Sequence, residues 1–531
     1  MSKRNKRRRK CVTRRLPETQ QGSLFPPGPT AAPRGAPEPV ADFLCPRPET
    51  IFVGEAPLRR YLEDNGMGWV IRLRAELEAS DLSPLVADYP PTGRRAIHPV
   101  VLLGLVLYGL LERRRTLREL ERLARFDLGA WWMCGGLQPD HSTIGHFLQR
   151  HAAVLSEDYF VRLTRQLVRR LRLSPGTVAG DGTVIEAAAS HYRLLKADAA
   201  RKAAAASPDD QRAQAAALAA TERGEKRRGR GRDEGTTQVS PQEPEAVVQP
   251  LKNGARRPSY KPSVLAHEAG LIVGQRVEPS DEAAALGSLL GQHETILDAR
   301  PTRVLLDAGY HQLPVLGWFA SAEIDLLCPA GQAHQGLWEK AGPAGRYGKA
   351  VFRYDEERDV YVCPANQILR FHKADRDRSD RCYRLYRATA CTSCDMRACC
   401  TNSRYGRTVK RYAGDEWKEA MAQVLAQPAA RRAYRQRQAM VEPVFAALRG
   451  QQGLTRFLRR GLAGVRLEFS LHCLAHNLGR VLRLLAAPRP PFWLVRMTSW
   501  PTGRLATVVF AFCPSWQSPR LWFGVLVAPW R

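Results

Sequence analysis

The chain has 531 residues, 44% of them hydrophobic, and a net charge of +29 at pH 7. This length allows several domains with a sizeable core. No apolar run suits a bilayer span, since the best candidate, VVLLGLVLYGLL at 100–111, has only 12 residues. The scattered cysteines and the lack of an apolar leader argue against a secreted disulfide-rich protein, so we expect a reducing cytoplasm. The charge favours nucleic acid as a partner, although a GC-rich genome that enriches arginine is the alternative explanation.

The N-terminal third divides into an arm and a helical region. Residues 1–15 hold nine Lys or Arg and no acid, and a Pro- and Gly-rich stretch follows, so the first 50 residues are predicted to be disordered. Apolar residues at helical spacing predict helices throughout 51–172. Near their end, Asp140 or Ser142 can cap a new helix after a Gly-Gly break. That pair of helices is either a DNA-binding helix-turn-helix or an ordinary αα-hairpin.

The pattern changes to strands over residues 173–330. Five stretches read as strands, with a helix, AAALGSLLGQHETILDA, between the third and the fourth: TVAGDGTVIEAAAS, PSYKPSVLAHEA, GLIVGQRVEPS, RVLLDAGY and EIDLLCPA. A low-complexity stretch at 196–245 interrupts them, first rich in Ala and then charged, and predicts a helix followed by a flexible loop. Strands mixed with helices indicate an α/β domain.

Two aspartates stand at the ends of apolar strands far apart in the chain. Asp181 lies between Gly180 and Gly182, and Asp307 ends RVLL and is followed by Gly309 two positions later. A carboxylate is costly in a core strand, and glycines beside it indicate that something approaches the backbone closely. The alternative is that both aspartates merely cap loops.

Residues 331–430 are predicted to form an irregular insertion that contains a cluster of cysteines. The run CTSCDMRACC carries a C-x-x-C pair, which is a common half of a structural zinc site. We expect four thiolates to bind zinc, with Cys400 as an alternate for the last of them: Cys363, Cys391, Cys394 and Cys399. The alternative is a set of reduced, unliganded thiols.

A helical pattern resumes over 431–487 and supplies a third acid. Glu442 lies in YRQRQAMVEPVFAALR, with Arg449 two helical turns further on. Pro443 predicts a kink or a helix start at this point. The tail 488–531 has no Asp or Glu and remains unassigned.

The order and spacing of these motifs resemble those of the DDE transposases of bacterial insertion sequences. The resemblance rests on DGT at 181–183, on DAGY at 307–310, and on a Tyr-x-x-Arg…Glu…Lys/Arg signature formed by Tyr434, Arg437, Glu442 and Arg449. The helices of 51–172 are similar to the N-terminal helical domain of that branch. The closing helices over 431–487 are similar as well.

The resemblance implies an α/β fold: an RNase H-like mixed sheet flanked by helices, with an all-helical DNA-binding domain before it and a small cysteine-rich insertion within it. It implies that Asp181, Asp307 and Glu442 bind Mg²⁺ or Mn²⁺ and catalyse strand cleavage and transfer. Tyr434, Arg437 and Arg449 would contact DNA phosphates. The expected partners are the terminal inverted repeats of its own element and target DNA, bound by a homodimer. The alternatives are an inactivated or domesticated DNA-binding relative and an RNase H-like nuclease without strand transfer.

Overall fold

The computed structural model describes residues 43–90, 95–229, 233–251, 253–330, 347–377 and 381–486. Most of the predicted arm and the whole tail 488–531 lie outside these ranges. Within them the chain is mixed α/β, as the sequence predicts. No helix in the described ranges combines the length and the apolar character needed to cross a membrane.

The N-terminal region is helical, with two short strand pairs beside it. Its elements in chain order are β1 (Phe43–Leu44), β2 (Phe52–Val53), β3 (Ala56–Pro57), α1 (Leu58–Asp64), α2 (Gly68–Glu78), α3 (Ser83–Val86), β4 (Ala96–Ile97), α4 (Pro99–Leu111), α5 (Leu117–Phe126), α6 (Leu128–Cys134), α7 (His141–Arg150), α8 (Ala152–Ser156) and α9 (Asp158–Leu171). Side-chain caps begin several of these helices. Thr116 and Glu119 form a capping box on α5, and Asp140 accepts from the N–H of Thr143 to start α7, as predicted.

Strands and helices alternate in the middle of the chain. They are β5 (Thr177–Gly182), β6 (Ile185–Glu186), β7 (Leu195–Lys196), α10 (Ala197–Ala206), α11 (Gln211–Gly229), β8 (Gln238–Val239), β9 (Val247–Pro250), β10 (Arg256–His267), β11 (Ile272–Glu278), α12 (Leu286–Leu297), β12 (Arg303–Leu305), α13 (Leu313–Ala322) and β13 (Asp325–Leu327). The main sheet has the order β11-β10-β5-β12-β13, and β6 and β9 also pair with β10. Pairing is antiparallel from β11 to β5 and parallel from β5 to β13.

The low-complexity stretch folds more regularly than predicted. Instead of one helix and a flexible loop, it forms α10 and α11, which pack through Ala200, Ala216 and Ala220. Alanine has the highest helix propensity and allows close approach. That propensity carries α11 into the charged residues that read as a loop.

The cysteine-containing insertion is also more regular than expected. Its strands are β14 (Arg353–Asp355), β15 (Val360–Val362), β16 (Ile368–Arg376), β17 (Cys382–Ala388) and β18 (Thr408–Tyr412), paired in chain order as an antiparallel meander. A small core of its own supports the sheet, including Tyr361 and Tyr386. The alternation of Tyr and Leu with Arg in CYRLYRA is the strand signal that the irregular-insertion prediction missed.

Three helices follow the insertion: α14 (Asp415–Ala426), α15 (Pro428–Ala446) and α16 (Gly461–Ala486). Helix α15 runs through Pro443 and continues into a π-helical turn, Ala447–Gln451, so the helix neither begins nor breaks at the proline. One hydrophobic core joins the N-terminal helices, the main sheet and α16. Buried Asn477 on α16 exchanges two hydrogen bonds of 2.8 Å with the backbone of Ile272, which ties α16 to β11.

Candidate active site

Two aspartates stand side by side at one end of the main sheet. Asp181 belongs to β5, and Asp307 follows β12. These strands are parallel neighbours that pair Leu305 with Ala179, so continuing the register by two residues sets Asp307 beside Asp181. Ligands of open α/β sheets bind at the carboxyl ends of the strands. The fold thus brings together the two aspartates that the sequence singles out.

Arg437 on α15 joins the two carboxylates. Its Nη2 lies 2.9 Å from Oδ1 of Asp181 and 3.9 Å from Oδ2 of Asp307. The same nitrogen donates to the carbonyl oxygen of Gly180 at 3.3 Å. Only 12% of the Arg437 side chain is exposed. This guanidinium, which the sequence predicts to contact a DNA phosphate, here balances the charge of the two acids.

The other two basic and aromatic residues of the signature lie close by. Arg449, in the π-helical turn, donates to Oγ1 of Thr183, the last residue of the DGT motif. Tyr434 lies one helical turn before Arg437 and packs against the main core. Burial raises the pKa of Tyr434, and the charges of Asp307 and Asp181 raise it further.

Glu442 stands apart from the aspartates. It is exposed on α15, between Arg437 and Arg449. Within the described ranges its carboxylate makes no hydrogen bond or ion pair. The structure therefore carries Glu442 on the helix that crosses the site, without bringing it into contact with Asp181 or Asp307.

A different acid, Glu282, lies against the aspartate pair. It immediately precedes the short 3₁₀ turn that leads into α12. Oε2 of Glu282 accepts from Nζ of Lys261 at 2.7 Å, and 12% of the Glu282 side chain is exposed. Sequence reasoning missed this residue because EPSDEAAALG reads as acids at an ordinary helix start. The usable signal was the pair of glycines beside the aspartates, since they make room for another side chain.

The three buried acids influence one another. Burial raises the pKa of Asp181, while Arg437 lowers it and the charge of Asp307 raises it again. Burial likewise raises the pKa of Glu282; Lys261 lowers it, and Asp307 and Asp181 raise it. Like charges held this close destabilise the ionised forms unless a cation compensates them. The site therefore favours cations.

The donor set suits a hard divalent cation, because carboxylate oxygens are the ligands that Mg²⁺ and Mn²⁺ prefer. Across the described parts of the chain, no group of three or more His, Cys, Asp or Glu side chains is arranged to hold a metal ion. Arg437 and Lys261 contact the acids instead. A metal ion at this edge would therefore replace contacts that these two cations make.

Four cysteines surround a small cavity of about 20 Å³ in the insertion: Cys363, Cys391, Cys394 and Cys400. Burial raises the pKa of the Cys400 thiol, which Arg407 lowers and the three other cysteines raise. The Sγ atoms of Cys363 and Cys391 accept backbone N–H groups at 3.3 and 3.4 Å. Cys399, which the sequence placed in the set, is exposed and does not line this cavity.

Two family models match the chain. Residues 362–482 match the model described as Transposase DDE domain, and residues 70–150 match the one described as Transposase domain (DUF772). The chain is related to the DDE transposases of insertion sequences. The matches imply a nucleic-acid-processing enzyme that binds DNA. The DDE-domain match includes Glu442 and the cysteine cluster, whereas Asp181 and Asp307 lie before it. A search of curated proteins finds no match.

Proposed function

We propose that this transposase relative cleaves DNA strands at the ends of its own insertion sequence and transfers them to target DNA in a metal-dependent reaction. The observation that carries the proposal is the pairing of Asp181 and Asp307 at the ends of parallel strands, with Arg437 of the signature helix between them. The sheet order, antiparallel up to β5 and parallel after it, supports an RNase H-like catalytic domain.

Asp181, Asp307 and Glu442 are the proposed ligands of Mg²⁺ or Mn²⁺. Two such ions supply activation of a water or 3′-hydroxyl and stabilisation of the leaving oxygen. Asp181 and Asp307 are held by the paired strands. Glu442 is exposed on the helix whose Arg437 and Arg449 both reach the strand end of Asp181, so the same helix carries it over the site.

The remaining signature residues are proposed to bind DNA phosphates beside the reacting bond. Arg449 and Tyr434 flank the site on the helix α15 and the turn that follows it. Arg437 has two tasks in sequence. It balances the aspartates before metal binding, and it becomes available to a phosphate oxygen once those aspartates bind metal.

DNA is the proposed partner in two forms, the terminal inverted repeats and the target. The net charge of +29 supports binding of a polyanion. We assign recognition of the terminal DNA to the helices of 51–172 and propose that a homodimer acts on DNA in the cytoplasm.

The insertion is proposed to bind one structural zinc ion. Cys363, Cys391, Cys394 and Cys400 surround one cavity, and four thiolates leave no open position for catalysis. The backbone N–H groups that reach two of the sulfur atoms support thiolate ligands at this place. Cys400 replaces Cys399 in the proposed set because Cys399 is exposed.

The test is a cleavage and joining assay on end-labelled DNA that carries the ends of the element, in Mg²⁺ or Mn²⁺. Asp181→Asn, Asp307→Asn and Glu442→Gln should each abolish both steps and leave binding of terminal DNA unchanged, since each removes one charge from an isosteric side chain. Asp325→Asn is the matched control, because Asp325 starts β13 at the far end of the sheet and pairs with Arg303.

Each rival function has its own outcome in this assay. Binding without any cleavage by the parent protein would indicate an inactive DNA-binding relative. Cleavage without joined products would indicate a nuclease. Parent-like activity in all three acid variants would refute the proposed mechanism.

A further inference from the structure

Glu282 reaches the aspartate pair from a third direction. It follows β11 by a short turn and stands at the entrance to α12, so neither aspartate-bearing strand positions it. Its Oε2 binds Lys261 at 2.7 Å, and little of either side chain is exposed. Lys261 itself lies on β10, the strand that pairs with β5.

Two glycines make room for this carboxylate. A Cβ on Gly182, beside Asp181, would stand 2.7 Å from Oε2 of Glu282. A Cβ on Gly309 would collide with Oε1 of the same carboxylate. Real Cβ atoms do not approach oxygen this closely, so any other residue at either position would displace Glu282. The glycines that flank the aspartates therefore admit Glu282.

Buried hydroxyls without partners lie at the same place. Ser263 is fully buried, and its Oγ has no hydrogen-bond partner in the described chain. This Oγ lies 3.1 Å from the Cβ position of Gly182, next to the point that Oε2 of Glu282 approaches. The hydroxyl of Tyr310, three residues after Asp307, is also buried and without a described partner. Buried polar atoms left unpaired indicate that a ligand or water is missing from the site.

We propose that Glu282 is a further ligand of the divalent cation bound by Asp181 and Asp307, and that Lys261 is its counter-ion in the metal-free protein. This inference rests on the proposed function, because it assumes a metal ion at the aspartate pair. It assigns the room beside the aspartates to a third strand-edge acid, in addition to Glu442 from the helix.

The competing explanation is that Lys261 and Glu282 form a purely structural ion pair. Such a pair needs no glycine at two separate positions and no approach to two other acids. It also leaves the orphan hydroxyl of Ser263 unexplained. A metal ligand accounts for the glycines, for the three converging carboxylates and for the unpaired hydroxyl together.

The test measures binding of Mn²⁺ alone to the full chain without DNA, from the electron paramagnetic resonance signal of free Mn²⁺. Glu282→Gln should weaken Mn²⁺ binding by about tenfold or more, as loss of a ligand-shell residue commonly does. Lys261→Met should tighten it by roughly fivefold, because a competing positive charge is removed. Asp281→Asn is the matched control: it is exposed, adjacent in sequence, and an asparagine still accepts from the N–H of Ala283.

Asp181→Asn in the same experiment separates this inference from the proposed function. If Asp181→Asn weakens Mn²⁺ binding while Glu282→Gln and Asp281→Asn do not, Glu282 is a structural partner of Lys261 and only this inference fails. If none of the variants changes binding, or the parent does not bind Mn²⁺, the metal site itself fails.

A second measurement needs no substitution. Fe²⁺ with ascorbate and peroxide cleaves a polypeptide next to the bound ion, so the parent should be cut near residue 282 as well as near 181 and 307. Cuts near both aspartates without one near 282 would overturn the inference, even if Glu282→Gln does not fold.

Discussion

Nη2 of Arg437 lies 2.9 Å from Oδ1 of Asp181, although the two residues are 256 positions apart in the chain. The contact joins the signature helix to the first acid of the candidate site. It also means that a side chain predicted to bind DNA is committed to protein carboxylates. The state of the site therefore depends on which cation, guanidinium or metal, balances the acids.

Replacing Arg437 with Met tests this exchange. The variant leaves two mostly buried carboxylates without their partner, so we expect a loss of roughly 2–4 kcal/mol in the free energy of unfolding without metal. Saturating Mg²⁺ should restore up to about 3 kcal/mol, since a ligand at 100 times its Kd stabilises by that amount. Chemical denaturation with and without Mg²⁺ measures both effects.

Arg435→Met is the control for this experiment. Arg435 is exposed on the same helix, so its removal should change stability by less than about 0.5 kcal/mol in either condition. An Arg437→Met variant as stable as the parent, or one indifferent to Mg²⁺, would contradict the exchange.

The sequence predicted the parts of the fold that local patterns determine. The strands around Asp181 and Asp307 and the Asp140 cap follow from apolar periodicity and from capping chemistry, both of which act over a few residues. Once both strands are parallel neighbours, the meeting of the aspartates follows from register alone. The mixed α/β class likewise follows from the alternation of strands and helices.

The missed features depend on contacts between distant segments. Nothing in the sequence near Glu282 separates a site acid from a helix-start acid, because Gly182 and Gly309 become its neighbours only after folding. Cys399 and Cys400 are adjacent, so spacing could not decide which sulfur faces the other cysteines. The backbone turn before them decides it.

Substitution of Gly182 by Ala tests whether the space beside Asp181 serves Glu282. The added Cβ would stand 2.7 Å from the Glu282 carboxylate, so that flexible side chain must move. We expect a modest stability loss of about 1 kcal/mol, because the obstacle is the end of a side chain. DNA cleavage should fall by about tenfold to a hundredfold, because displaced site groups cost that much in rate.

Gly287→Ala provides the matched control on α12. A Cβ there meets nothing within 4 Å, and alanine favours a helix, so stability should rise by about 0.5–1 kcal/mol with cleavage unchanged. Equal cleavage by the two alanine variants would show that the room at Gly182 is not needed for catalysis.

The cysteine assignment is tested by a pair of neighbouring serines. Cys400→Ser should lower zinc content well below the expected value of about one ion per chain and should destabilise the insertion. Cys399→Ser should leave both unchanged, because Cys399 is exposed outside the cavity. Elemental analysis and thermal denaturation of purified protein decide between them. The reverse result would restore Cys399, and parent protein free of zinc would remove the site.

Glu243 predicts how stability depends on pH away from the site. Its side chain is buried, with 1% of the residue exposed, and neither carboxylate oxygen has a hydrogen-bond partner in the described chain. Burial raises its pKa from 4.5 to about 7, against opposing effects of Arg460 and Arg456. Because the folded-state pKa lies above the unfolded value, the folded chain retains a proton that the unfolded chain has lost.

The sign of the effect follows from that difference. As pH rises from about 4.5 to about 7, the folded state must lose its proton at increasing cost, so stability falls by at most about 3 kcal/mol. Glu243→Gln cannot lose a proton, so this variant should match the parent near pH 4.5 and exceed its free energy of unfolding at pH 8. Glu225→Gln, at an exposed position of α11, should follow the parent across the range. Urea denaturation at a series of pH values gives the difference curve, and a flat curve for Glu243→Gln would mean that Glu243 is ionised in the folded protein at no cost.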